Sequence, residues 1–102
     1  MPDREVAARL AALRRESVDL ERRLRGDDQS AAGSAEYWLS QIGVWRAMIL
    51  RTLAQHAIAQ RSIAQIPSAT AEDPEWSERA LQELLEVRAK LDATIERLEG
   101  EG

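Results

Sequence analysis

In three separate stretches of this chain, apolar residues recur at alternating steps of three and four. Val6, Leu10, Leu13, Leu20 and Leu24 form the first set, with Ser17 standing in at one step. Leu81, Leu84, Leu91, Ile95 and Leu98 form the last, with Arg88 at one step. That spacing keeps one stripe of an α-helix turned toward a partner and is incompatible with the two-residue alternation of a half-buried strand. Residues 3–25 and 74–99 therefore read as amphipathic helices, the first of about six turns. Pro2 and Asp3 suit a first helical turn, and Gly26 suits the left-handed residue just beyond a helix end.

Between them, residues 34–66 read as one long second helix. Ser34 is placed to cap its start, and Pro67 forbids its continuation, because the proline ring clashes with the preceding turn. Such a helix would span on the order of 50 Å. The polar stretches 26–33 and 67–73 are short turns, and Asp73 followed by Pro74 supplies a cap and a first helical position for the third helix. The expected architecture is all-α: an antiparallel up-down-up three-helix bundle with a long central helix and coiled-coil-like packing, a single helical domain over residues 1–102.

Composition narrows the possibilities further. The chain has 102 residues and a formal net charge of −4, so it lacks the positive field that a phosphate backbone demands, and nucleic acid is not an expected partner. It contains no cysteine, which excludes disulfides, thiolate metal sites and cysteine nucleophiles. Seventeen of its forty-five apolar residues are Ala and none is Phe, so the core must be economical, and pairing with another copy is a natural remedy. The start of the sequence shows no signal-peptide pattern and no apolar stretch reaches membrane-spanning length, which gives an expectation of a cytoplasmic protein with no membrane partner. The regular caps and seams are compatible with a natural or a de novo designed chain.

Two arguments suggest incomplete cover. In a hairpin bundle the first helix is shorter than the second, so the end of the second helix and the start of the third project beyond it, carrying Ile58, Ile63, Ile66, Trp76 and Leu81. Projected at the helical period, the second helix is also apolar over most of its circumference, with Val44 and Ile58 outside even its widened stripe. Such a helix is normally buried on most sides. A twofold homodimer is the commonest closed solution. Its interface is expected at Trp38, Met48, Ile58, Ile63, Ile66, Trp76 and Leu81. Gly43, inside the helix at a cost of about 1 kcal/mol relative to Ala, suggests a close approach by another helix.

One polar constellation has chemical interest. His56, the only histidine, projects near the centre of the apolar stripe, one turn from Thr52 and one from Gln60, with Arg88 expected at the same level on the third helix. As a ligand site it would use His56 as an anchor, for haem or another small molecule, with Trp45, Ile49, Thr52, Arg88 and Gln60 lining the pocket. As a structural feature, it would be a hydrogen-bonded histidine that fixes register at an interface. Metal sites in helical bundles pair inward carboxylates with Glu-x-x-His motifs, but position 53, three before His56, is Leu. No metal site and no catalytic residue is therefore expected. The triad, paired-carboxylate and phosphate-loop patterns are missing, so the functional expectation is a non-enzymatic, self-associating assembly or protein-interaction module, with the His56 ligand site as the alternative.

Overall fold

The structure, a computed structural model, describes residues 2–25 and 35–101. They form four helices: α1 (Pro2–Arg25), α2 (Ala35–Gln55), the single turn α3 (Arg61–Ala64) and α4 (Trp76–Glu101). No strand occurs among the described residues, and no helix among them is long and apolar enough to cross a membrane. The expected first turn and its flanking Gly26 and Ser34 lie outside the described residues.

The inward stripes follow the expected spacing. Val6, Leu10, Leu13, Ser17 and Leu24 of α1 are buried against Trp38, Ile42, Trp45, Ile49 and Leu53 of α2 and Ala80, Leu84, Val87, Leu91 and Leu98 of α4. On α4 the centre of the seam falls on Val87 and Thr94, so Arg88 and Ile95 sit at its flank rather than inside it. The buried polar members are satisfied within their own helices: Ser17 Oγ donates to the Arg14 carbonyl, and Thr94 Oγ1 donates to that of Lys90 at 3.0 Å. The Trp45 indole N–H crosses to α1 and donates to the Leu13 carbonyl at 2.7 Å, which pins the two helices together.

The second helix departs from the sequence expectation. It stops at Gln55, twelve residues before Pro67, and the stop is a complete helix-ending motif. The N–H of Ile58 donates to the Leu53 carbonyl at 2.9 Å and that of Ala57 to Ala54 at 3.2 Å, closing the 6→1 and 5→2 bonds of a Schellman cap. Ala57 takes the left-handed position, φ 55°, where glycine is normally found. Ile58, just past the turn, packs half-buried against the core. Helical periodicity does not reveal this stop, because no glycine or proline marks it.

The chain that follows is a return leg along the bundle. Arg14 pairs with Asp92, and Glu21 with Arg88, so numbering falls on α4 as it rises on α1 and the two helices are antiparallel. The groove between α1 and α2 is lined by Arg23 and Gln41 at one end and by Arg9 and Gln55 at the other, which makes this pair antiparallel too. It follows that α2 and α4 run the same way, and residues 56–75 carry the chain back between them. This corrects the expected up-down-up order. The molecule measures 44 Å along its longest axis, which α4 alone, about 39 Å long, nearly fills. A continuous helix over 34–66 would not fit within it.

The overhang disappears with the long helix. Ile63 of α3 is 1% exposed and Ile66 is 8% exposed, both covered by the chain's own core, while Ile58, Trp76 and Leu81 pack against its edge. After Pro67 the chain reaches Asp73, whose Oδ1 accepts the N–H of Glu75 at 2.9 Å, the two-residues-on bond expected of a helix cap.

Candidate functional site

The residues of the expected ligand site are not brought together. Thr52 is buried, but its Oγ1 donates to the Met48 carbonyl at 2.8 Å. His56 is exposed in the Schellman turn beyond the end of α2, and Gln60 is exposed at the entry to α3. Arg88 bonds to Glu21 on α1 at 2.7 Å. Trp45 and Ile49 are packed in the core. An interior anchor at His56 therefore has no geometry to support it: the break that ends α2 also swings the imidazole into solvent. Among the described residues no three His, Asp or Glu side chains gather where a metal ion could be held.

Burial has a mixed influence at Glu21. Partial desolvation is the largest single effect on its carboxyl and works to raise the pKa. The hydrogen bond and charge of Arg88, joined by Arg25, outweigh it and hold the group below the usual carboxylate range.

The strongest polar feature of the interior is one that the sequence reading missed. Arg46 points from α2 into the bundle with only 8% of its surface exposed. One guanidinium nitrogen donates to Glu83 Oε2 at 2.8 Å and to Ser68 Oγ at 3.2 Å. The other donates to the carbonyls of Ile63 at 2.7 Å, Ala64 at 3.2 Å and Ile66 at 2.6 Å. The second Glu83 oxygen accepts the Ala69 N–H at 3.2 Å. The guanidinium thus caps the C-terminal end of α3, where the Ile63 carbonyl also accepts the Ile66 N–H at 3.2 Å, and Glu83 neutralises it. Together they latch the return leg to α2 and α4. The signal was present in the sequence: Arg46 is the sole charged residue from Tyr37 to Leu50 and it falls beside the apolar stripe.

With Arg46 turned inward, the outer face of α2 carries no charge along this stretch. Tyr37 is 46% exposed, Val44 57% and Met48 47%, and Ser40, Gln41, Gly43 and Ala47 are exposed among them. A Cβ added at Gly43 would meet nothing within 4 Å, so no packing inside the chain requires a glycine there. Two open grooves of about 520 and 450 Å³ flank this face where α1 passes, sharing Ala12, Glu16 and Met48. Arg15, Arg23 and Asp19 rim the larger one. The exposed faces of α1 and α4, by contrast, carry charges along their length, several of them in ion pairs within the chain.

Of the expected interface residues, Trp38, Ile63 and Ile66 are buried inside the chain and offer nothing to a partner. Ile58, Trp76 and Leu81 are partly covered, and Met48 alone is substantially exposed. The fold and this surface define an all-helical protein with an ion-latched return leg and one uncharged helix face. No protein-family model matches the chain, and no curated protein or solved structure is significantly similar to it.

Proposed function

We propose that this chain is a non-enzymatic, self-associating helical-bundle module, and that it associates through the outer face of α2 and the groove beside it. The observation that carries this reading is the stretch from Tyr37 to Leu50, in which the only charge is withdrawn into the interior while Tyr37, Val44 and Met48 stand in solvent. Contiguous apolar surface rimmed by polar side chains is the usual mark of a protein-interaction site. Aromatic residues and Met are also enriched where proteins meet. Of the two sequence arguments for association, the fold removes the overhang, while the wide apolar circumference of the second helix leaves exposed apolar residues on its outer side.

Sedimentation of the wild-type chain and of Val44→Glu/Met48→Glu from about 1 to about 100 µM tests the reading. The wild type is expected to self-associate with rising concentration, and the double variant to remain a monomer with unchanged helical circular dichroism, since neither side chain supports the core. A wild-type chain that stays monomeric throughout, or a double variant that associates equally well, overturns the reading.

A further inference from the structure

The uncharged face of α2 has ends of opposite sign. Glu36 closes it on one side and Arg51 on the other; both side chains are exposed, and neither is in an ion pair within the chain among the described residues. The arrangement is symmetric about the middle of the helix: Glu36 lies seven residues before Gly43, and Arg51 lies seven residues after Val44.

A surface of this kind is complementary to itself in one orientation. We infer that the partner of this face is α2 of a second copy of the chain, packed antiparallel across a twofold axis near Gly43 and Val44, so that Glu36 meets the partner's Arg51 at both ends. This rests on the reading above that the module associates through α2. A twofold interface uses the same patch on both subunits, and each off-axis contact is made twice. With the axis at the midpoint, Ser40 faces the partner's Ala47, and Gly43 faces the partner's Val44. The small residues Ser40, Gly43 and Ala47 then allow close approach of the helices, and Val44 fills the space above the partner's glycine. That accounts for a mid-helix glycine with open space around it. A parallel pairing would set Glu36 against the partner's Glu36 and Arg51 against the partner's Arg51, with repulsion at both ends. Association with an unrelated partner would leave the mirrored charges without a role.

Because the chain has no native cysteine, single cysteines report the geometry directly. In the full-length protein under mild oxidation, Val44→Cys is expected to form a disulfide dimer with itself. Ser40→Cys alone is not, because the two copies of position 40 lie about 10 Å apart along the helix axis in this register. An equimolar mixture of Ser40→Cys and Ala47→Cys is expected to cross-link. Charge exchange gives an independent readout: Glu36→Arg should weaken dimerisation by about tenfold at low salt, and Glu36→Arg/Arg51→Glu should restore it. Efficient self-cross-linking of Ser40→Cys would show parallel pairing and overturn this inference. Indifference of the dimer to Glu36→Arg, in a chain that Val44→Glu/Met48→Glu still dissociates, would overturn the register while leaving the associating face intact. A wild-type chain that never dimerises would remove both.

Discussion

Ala57 is the one position where the fold and the simplest reading of the sequence predict opposite signs for the same substitution. In the structure it occupies the left-handed position of the turn that ends α2, with φ 55°. An L-residue with a Cβ loses about 1–2 kcal/mol there, which glycine does not. Ala57→Gly recovers that amount but also frees the unfolded chain, which costs about 0.4–1 kcal/mol. The net expectation is a gain of about 0.5–1 kcal/mol. For a domain of this size that corresponds to a rise in Tm of roughly 2–8 °C.

Had α2 continued as an unbroken helix to Ile66, the same substitution would fall in a helix interior and cost about 1 kcal/mol. The two architectures are thus separated by about 1.5–2 kcal/mol, with a change of sign between them. Thermal and urea unfolding followed by circular dichroism, with wild type and variant at one fixed concentration, reads the difference directly. A fall in both Tm and urea midpoint for Ala57→Gly would refute the Schellman turn, and with it the return leg and the interior position of Ile63.

Other consequences follow from individual contacts. Arg46→Met should destabilise the fold by about 3–5 kcal/mol in urea unfolding, because Glu83 would be left buried without its partner; adding Glu83→Leu should recover a large part of that loss. Trp45→Phe should cost about 1 kcal/mol, through loss of the indole bond to the Leu13 carbonyl. The Glu21 carboxyl is held below its ordinary value in the folded chain, so it contributes stability above an unfolded pKa of about 4.3 and loses it as pH falls through the folded value. Urea titrations from about pH 5 to pH 3 should accordingly show a shallower loss of stability in Glu21→Gln than in the wild type.

The parts of this fold that were legible in the sequence are those governed by periodicity. The spacing of Val6, Leu10, Leu13 and Leu24 placed α1 and its buried face, and the stripe from Trp38 to Leu53 placed the inner side of α2. Asp73 announced the start of α4 through its capping oxygen. What escaped was the turn at His56 and Ala57. Its geometry is ordinarily signalled by glycine, and here an alanine holds it because Ile58 gains a place on the core and the Ile58 N–H finds the Leu53 carbonyl. Several errors about the candidate site descend from that one residue: extending α2 carried His56 inward and left Ile63 and Ile66 projecting into water, while Arg88 was misplaced also by the phase of the α4 seam, which centres on Val87 and Thr94. The direction of α4 escaped for the same reason, since a hairpin and a full-length return leg leave identical heptad patterns on the final helix.

Arg46 connects the interior of the molecule to its surface. A charged residue midway along α2 would, if turned outward, solvate the face around Val44 and Met48 and discourage any helix from packing there. Instead its guanidinium is consumed by three backbone carbonyls and the Glu83 carboxylate, because the return leg delivers the C-terminal end of α3 to that level of the bundle. One side chain therefore does two things: it closes the interior over Ile63 and Ile66, and by its withdrawal it leaves the opposite face of the helix free of charge between Glu36 and Arg51. On this view the interior placement of Arg46 serves the proposed interface only by leaving the outer face uncharged. Arg46→Met/Glu83→Leu, which keeps the outer face unchanged, should preserve dimerisation wherever it preserves the fold, whereas Val44→Arg, which returns a charge to that face without touching the latch, should abolish dimerisation and leave the unfolding free energy of the monomer within about 0.5 kcal/mol of wild type. Loss of association in the first variant at full helicity, or retention of it in the second, would overturn the view that association depends on the uncharged outer face of α2.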